Sequence, residues 1–365
     1  MHRSRFRFIS IILLAFCSAI ALGIAIAQDS PKPPDRSLLQ KQMQDGNYND
    51  AYTGFRRLAL DAQDDTLQVG SDLNAAIGCL NQLGRADEID DFRDDAIKAH
   101  RQNWRLLMAA AESFVAPEAQ HFGFIIAGKF WRGQHRGGGE AVNSLERDRV
   151  RALQLMADAI PLAEADAKKS DAADFWMALA RMLLNNRGGD EAWRLQSLTD
   201  LQTLPDYDRG WYSGTASRGA PVDADGNPVF HHMPKSWSAS QTDGERWRWA
   251  LAQVTENNPQ RLNDVRFEFA QFLESQFGVQ TMAEYGLFFG RLQEDDSASG
   301  ETTESTADEK HQASKTWSLD TLADDETMAR LATGVKRFKL PPEFDFIRIY
   351  KQIADDPKTG HGDES

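Results

Sequence analysis

Cysteine is scarce in this chain, and its scarcity argues against a disulfide-stabilised fold. The sequence contains 2 cysteines: Cys17 lies in an N-terminal apolar segment, and Cys79 lies within an apolar helical pattern. If the N-terminal segment is removed on export, no internal disulfide can form, and packing alone must hold the fold together. We interpret Cys79 as a small buried core residue rather than a reactive thiol.

Positive charge is also in short supply. The chain has 41 Lys and Arg against 55 Asp and Glu, which gives a formal net charge of −14. Proteins that bind nucleic acid present a basic face to the phosphates, and a surface this acidic would repel them. We therefore expect no nucleic-acid partner.

Motifs for catalysis and metal binding are missing as well. The sequence has no Gly-x-Ser-x-Gly nucleophile turn and no phosphate-binding loop. The run from Asp223 to Asn227 resembles the start of a calcium loop, but its glycine comes too early and the bidentate glutamate is absent. His231 and His232 are adjacent and would point to opposite faces of an extended chain. We predict no catalytic residue, no cofactor and no metal site.

The N-terminus carries the features of an export signal. Three arginines precede an uncharged apolar run over residues 8–26, and Ala25-Ile26-Ala27 offers small residues to a peptidase. We interpret residues 1–27 as a cleaved signal peptide, which makes the protein periplasmic or secreted. The run also reaches the lower limit of a membrane span, so an uncleaved membrane anchor stays open as the alternative.

Residues 36–115 contain a helical hairpin pattern that occurs twice. In the first copy apolar residues recur at three- and four-residue spacing around a glycine, which predicts two packed helices with a turn between them. The second copy matches it in register but is degenerate. We assign the repeat-defining packing positions to Leu38, Gly46, Tyr48, Ala51, Phe55 and Leu58 in the first copy, and to Leu73, Ala76, Gly84, Ala86, Ile89 and Ala96 in the second.

This pattern resembles the tetratricopeptide repeat, whose usual period of about 34 residues is slightly shorter than the spacing from Gly46 to Gly84. Ordinary helical hairpins without repeat ancestry remain the alternative. The predicted fold class is mainly α: an irregular tetratricopeptide-like α-solenoid of helical hairpins, with a glycine- and aromatic-rich loop and one β-hairpin insertion.

The rest of the chain divides by composition. The last predicted helix, over 341–355, has a wide apolar face. Either this face packs back onto the protein, or the partner helix that should cover it is missing from the end of the chain. After the signal peptide, the predicted segments are a Pro-rich tether at 28–35, the repeats at 36–115, a Gly/aromatic loop at 116–142, helical hairpins at 143–204, a β-hairpin insertion at 205–240, helices at 241–293, a disordered acidic linker at 294–315, C-terminal helices at 316–356 and a disordered tail at 357–365.

Several uncommon segments carry a second resemblance. They are similar to the N-terminal, repeat-bearing region of large exported bacterial proteins of the alpha-2-macroglobulin type, notably from planctomycetes, over nearly all of residues 36–356. That family traps proteases through β-sandwich domains and often a Cys-Gly-Glu-Gln thioester, neither of which occurs here. The resemblance therefore implies a helical module, stand-alone or truncated, and no functional residue. The segments are 103–107, 128–139, 146–156, 204–207, 219–223 and 243–249.

These observations predict an exported, non-catalytic helical-repeat scaffold for protein interaction or assembly. We expect a protein or peptide partner on the concave face of the first two hairpins. The alternative is a carbohydrate-binding or enzyme-accessory protein that exposes aromatic side chains near Trp131 or Trp211. We expect most of the tryptophans, including Trp247 and Trp249, to pack in the core.

Overall fold

A computed structural model describes residues 34–134, 137–187, 189–209, 219–279 and 322–357 of the 365-residue chain. The predicted signal peptide, the acidic linker at 294–315, nearly all of the Pro-rich tether and the tail beyond residue 357 lie outside the described residues. Within them the protein is mainly helical, with a smaller share of antiparallel strand. Every described helix is too short or too polar to cross a bilayer.

The first hairpin consists of α1 (Arg36–Gln44) and α2 (Tyr48–Leu60). The Asp35 side chain caps α1 by accepting a hydrogen bond from the Ser37 amide at 2.9 Å. Gly46 then reverses the chain at φ +82°, a backbone conformation that residues with a Cβ atom rarely adopt. The predicted pair of helices and the turn between them are confirmed.

The second hairpin consists of α3 (Val69–Gln82) and α4 (Ile89–Ala99), followed by α5 (Trp104–Val115). Its turn repeats the first one, because Gly84 also has positive φ and the amide after each glycine donates to a carbonyl in the preceding helix. Asn47 donates to Gln42 at 2.8 Å, and Arg85 donates to Leu80 at 2.9 Å. The two turns therefore share their hydrogen bonding as well as their glycine.

One assigned packing position is wrong. Leu38 is 54% exposed, and its neighbour Leu39 fills the core instead at 5%. Leu39 packs where Gly54 lacks a side chain, since a Cβ at Gly54 would overlap the leucine. Tyr48 is half-buried, and the two turn glycines are exposed. The remaining assigned positions are buried: Ala51, Phe55, Leu58, Leu73, Ala76, Ala86, Ile89 and Ala96.

The Gly/aromatic segment at 116–142, for which the sequence predicts an ordered loop or a short hairpin, forms a hairpin and a third strand, so the chain has more than the one predicted β-hairpin insertion. Glycine prevents a helix here, but it also supplies tight turns, as Ala127-Gly128 does at φ +49° and +80°. The antiparallel sheet has the order β2-β1-β3-β4. Its strands are β1 (Phe122–Ile126), β2 (Lys129–Arg132), β3 (Glu140–Asn143) and β4 (Asp208–Arg209).

Two long helices follow the sheet, α6 (Leu145–Glu164) and α7 (Lys169–Leu184). Further along the chain, the predicted β-hairpin within 205–240 is reduced to a turn around Gly226 and one bridge, between Val222 and Pro228. Helices α8 (Asp243–Asn257) and α9 (Leu262–Phe277) come next.

The sequence predicts two helices in the C-terminal region at 316–356, and the prediction of the first helix is wrong. Residues 326–339 form a hairpin of β5 (Glu326–Leu331) and β6 (Gly334–Lys339), with Gly334 at φ +118° in the turn. The apolar residues at 328, 331, 335 and 338 happen to follow helical spacing, whereas β5 is buried on both faces.

The last helix, α10 (Phe346–Ala354), docks on α9. Phe346 and Ile349 are buried, and the Tyr350 hydroxyl donates to Glu274 at 2.8 Å. Of the two alternatives for this helix, docking back onto the protein is the one observed. A single cluster of buried apolar side chains extends from α1 to α10.

Candidate binding groove

Helix α5 lies against α3 on one side and α7 on the other, and a cavity opens at each contact. The cavity beside α3, which we call the junction pocket, holds about 200 Å³. Its walls come from the end of α3, the start of α4, the end of α5, and Arg132 of β2. The lining residues include Asn81, Gly78, Arg93, Glu112 and Arg132.

The cavity between α5 and α7, which we call the methionine groove, holds about 490 Å³. Met108, Met177 and Met182 line it together with Val115 and Ala178. Met108 is half-buried there, whereas Met177 and Met182 are only 2% and 3% exposed, so the methionines present a small but flexible apolar surface. This surface suits an apolar side chain from a partner.

The junction pocket and the methionine groove adjoin each other. Glu112 and Ala116, near the end of α5, line both cavities. The two cavities are separate but adjoin along α3, α5 and α7, and we call the pair the binding groove. The junction pocket lies towards the small sheet and the methionine groove lies towards α7, and both are lined by mainly apolar surface with charged residues among it.

A buried guanidinium, that of Arg93, lines the junction pocket. Arg93 is 2% exposed, donates to Asp90 Oδ1 at 3.0 Å, and lies over the Phe114 ring at 3.7 Å. Burial lowers the pKa of Arg93 to about 10. Its Nε and the Asn81 side-chain oxygen are both buried without a hydrogen-bond partner among the described residues. Such unpaired groups are costly and uncommon.

Beside it, Arg132 belongs to a fully paired network. It makes a two-bond ion pair with Asp148 at 2.7 and 2.9 Å and also donates to Asp90 at 3.0 Å. Burial opposes charge on both partners. However, hydrogen bonds from His121, Arg132 and Ser144 lower the pKa of Asp148 to about 2, and the bond to Asp148 raises the pKa of Arg132.

The meeting of Ser144, His121 and Asp148 is not a nucleophilic triad. Ser144 Oγ donates to Asp148 at 2.7 Å and contacts the His121 carbonyl, whereas the imidazole bonds directly to Asp148 at 2.9 Å. A nucleophile would need its hydroxyl on the imidazole and open to substrate. Ser144 is 1% exposed, so this arrangement ties β3 and α6 to the sheet.

Glu112 is the opposite case, a carboxylate without a partner. Among the described residues it makes neither an ion pair nor a hydrogen bond. Its side chain is exposed to solvent beside both cavities, and partial burial by the surrounding atoms raises its pKa. No charged neighbour contributes to that shift.

Gly78 leaves empty space on the α3 side of the junction pocket. A Cβ built at Gly78 would meet nothing within 4 Å. Glycine inside a helix costs about 1 kcal/mol relative to alanine. No contact within the described structure therefore requires glycine at this position, and its absent side chain enlarges the pocket.

A second buried network joins α6 to α8. Arg149, 2% exposed, donates to Asp243 at 3.3 Å and to the Leu183 carbonyl at 3.1 Å, and Glu146 pairs with Arg187. Segments quoted above for the resemblance to alpha-2-macroglobulin-type proteins supply Arg132, Asp148, Arg149 and Asp243. Much of what made those segments uncommon is therefore buried charge that fixes the fold.

The structure places the sequence-predicted residues mostly away from the groove. Of the assigned packing positions, Ile89 lines the junction pocket. We expected a partner on the first two hairpins, whereas the cavities begin at the second hairpin and extend to α7. Sequence reasoning missed Glu112, Gly78 and the three methionines. A signal was present: a lone acid in the apolar helix α5, and a glycine in mid-helix.

Of the histidine pair one side chain is packed and one is exposed, and among the described tryptophans Trp193 is 37% exposed. Burial lowers the pKa of His231 to about 4, and His232 lies exposed against Phe344. Among the described residues no group of His, Cys, Asp and Glu is arranged to hold a metal ion. Trp247 and Trp249 are buried, and Cys79 is buried as expected. Trp211 lies outside the described residues.

Comparisons with models of protein families, with curated proteins and with solved structures return no match for this chain. The two resemblances stated from the sequence therefore remain predictions, and the groove must be interpreted from its own chemistry.

Proposed function

We propose that this chain is a non-catalytic helical-repeat scaffold that binds a segment of a partner protein in the groove along α3, α5 and α7. The observation that carries the proposal is the adjoining pair of cavities on that run of helices, which share Glu112 and Ala116. Two adjoining cavities on neighbouring helices suit an extended peptide, which can place one side chain in each, better than a compact small molecule.

The packing of the helices supports a repeat-type arrangement. Helix α3 contacts α2, α4 and α5, and α5 in turn contacts α6 and α7. Stacked hairpins present their first helices side by side, and in solenoids that surface is the binding face. We therefore propose an irregular tetratricopeptide-like solenoid whose first helices are α1, α3, α5 and α7.

The carbohydrate-binding alternative receives less support. It needs aromatic faces open to a sugar ring, but Phe130 and Tyr207 stack on each other at 4.5 Å between ring centroids. Trp131 is half-buried, and the Lys129 ammonium lies 5.1 Å from its ring centroid. The aromatic side chains of this sheet therefore pack against other residues of the chain.

We also propose that the protein is exported and corresponds to the N-terminal helical module of alpha-2-macroglobulin-type proteins. The sequence of residues 1–27 and the quoted motif segments support this placement. A membrane attachment would follow only from an uncleaved N-terminal segment.

Selection of phage-displayed random dodecapeptides on the full-length chain tests the scaffold proposal. We expect enriched peptides, and we expect Ala178→Trp, which fills the methionine groove, to weaken their binding by about tenfold or more. Ala354→Trp, on the exposed end of α10, is the matched control. Gly78→Leu repeats the test where a side chain has free space. Failure to enrich peptides, or equal binding by all variants, would overturn the proposal.

A further inference from the structure

We propose that the groove binds an extended segment of a basic partner protein, with a lysine or arginine side chain in the junction pocket and an apolar side chain in the methionine groove. This inference rests on the proposed function, because it specifies the chemistry of the segment that the same groove would bind.

The arginines that line the groove are all paired within the chain. Four arginines line its two cavities, and each already has an acidic partner within the chain. The pairs are Arg93 with Asp90, Arg132 with Asp148 and Asp90, Arg181 with Glu268, and Arg261 with Asp174 and Asp264. These cations are neutralised before any ligand arrives.

The acids at the groove are not all neutralised. Glu112 lines both cavities, and Glu118 lines the junction pocket, and neither has an ion pair among the described residues. The unsatisfied charge of the groove is therefore negative. A cationic side chain is the group that complements it.

The position of Glu112 fits that preference. An ion pair gains more where the effective dielectric constant is reduced, and partial burial by the surrounding atoms raises the pKa of Glu112. Glu112 is exposed and hydrated in the free protein, so it is available to pair with a ligand ammonium or guanidinium.

The residues that line the two cavities indicate which ligand groups each cavity would bind. The unpaired Nε of Arg93 is a donor, which a cation cannot satisfy, but the unpaired Asn81 side-chain oxygen in the junction pocket is an acceptor for a lysine or arginine side chain. Gly78 leaves room for it. The methionine groove next to it suits a side chain such as leucine, methionine or phenylalanine. The shared wall at Glu112 and Ala116 places the two anchors close together in one segment.

The charge of the whole chain acts in the same direction. A formal net charge of −14 attracts basic partners over long range and speeds their association at low salt. An acidic segment would meet repulsion both at a distance and at Glu112.

The test uses the dodecapeptides selected on the full-length chain. We expect lysine or arginine to be enriched, with an apolar residue at a short fixed spacing. For the tightest peptide, binding is then measured by fluorescence polarisation with the basic residue kept and with it changed to norleucine. Glu112→Gln should weaken binding by about tenfold or more, the loss typical of one charge-assisted hydrogen bond. Glu164→Gln, on an exposed position at the end of α6, should leave binding unchanged.

The outcomes separate the two proposals. Peptides that bind, lose affinity with Ala178→Trp, and show no basic preference would overturn this inference and leave the scaffold proposal standing. Enrichment of acidic peptides, or equal affinity of Glu112→Gln and wild type, would overturn it as well. Failure to enrich any peptide would overturn both.

Discussion

Two neighbouring regions of this protein hold carboxylates in opposite settings: Asp148 is buried and paired, whereas Glu112 is exposed beside two cavities and unpaired among the described residues. At the junction of sheet and α6, Asp148 accepts hydrogen bonds from an arginine, a histidine and a serine. In the groove, Glu112 has no partner within the described structure. Burial alone raises the pKa of a carboxyl, and pairing lowers it, as the opposite shifts of these two residues show.

The difference teaches which charge serves the fold. A buried pair is costly to break, because removal of one partner strands the other in surroundings of low dielectric. An exposed carboxylate without a partner, such as Glu112, changes the free energy of folding little in either direction. We therefore interpret the Asp148 network as structural and Glu112 as a residue kept for a ligand.

The largest expected effect comes from breaking the paired region. Asp148→Asn leaves Arg132 buried with only Asp90 as its acidic partner, and we expect the free energy of unfolding to fall by about 3–5 kcal/mol. Urea denaturation followed by circular dichroism measures this change. A loss below about 1 kcal/mol would show that the network adds little to the fold.

A third way to bury a titratable group is to keep it neutral, and His231 does so. Its pKa falls from 6.5 to about 4, so the unfolded chain binds the extra proton first. Stability should therefore be full above about pH 6.5 and decline towards pH 4, by about 1.4 kcal/mol per unit at most.

His231→Phe is the comparison for that decline. The phenyl ring keeps an aromatic group against Gly244 but cannot be protonated, so stability between pH 6.5 and 4 should change less than in the wild type. Thermal unfolding at a series of pH values checks this, and parallel curves for both proteins would contradict it.

A smaller effect is expected at the groove wall. Gly78→Ala removes the helix cost of glycine without a clash, so the free energy of unfolding should rise by about 0.5–1 kcal/mol. Urea denaturation measures it. Destabilisation by alanine would mean that glycine is required by the fold rather than by the space beside it.

The smallest effect on stability is expected at Glu112 itself. Glu112→Gln removes an unpaired charge from a recess, so the melting temperature should stay the same or rise slightly. A lower melting temperature would reveal a structural partner for Glu112 and would remove the contrast with Asp148.

The sequence predicted the first part of the fold well because its signals there are local. Gly46 and Gly84 mark turns through backbone conformation, and the helices on both sides follow their apolar periodicity. Leu38 was misassigned because two adjacent leucines both suit the pattern. Only the missing side chain of Gly54, on another helix, decides that Leu39 is buried.

The strands and the site were harder to predict because they depend on distant contacts. In β5, spacing that fits a helix is overridden by burial on both faces and by the Thr327 hydroxyl, which donates to the Phe277 carbonyl at 2.5 Å. The position of Glu112 between two cavities depends on how α3 and α7 pack against α5, which the sequence of α5 does not show. Pairing of the other charges is likewise a tertiary property.

A double-mutant cycle tests the central claim most directly. It combines Glu112→Gln in the protein with lysine-to-norleucine in the selected peptide and measures the four affinities by fluorescence polarisation. The account predicts that each change alone weakens binding, and that the two together weaken it little further, with a coupling of about 1.4 kcal/mol or more. Additive losses would contradict the account, because they would show that Glu112 and the basic side chain do not meet.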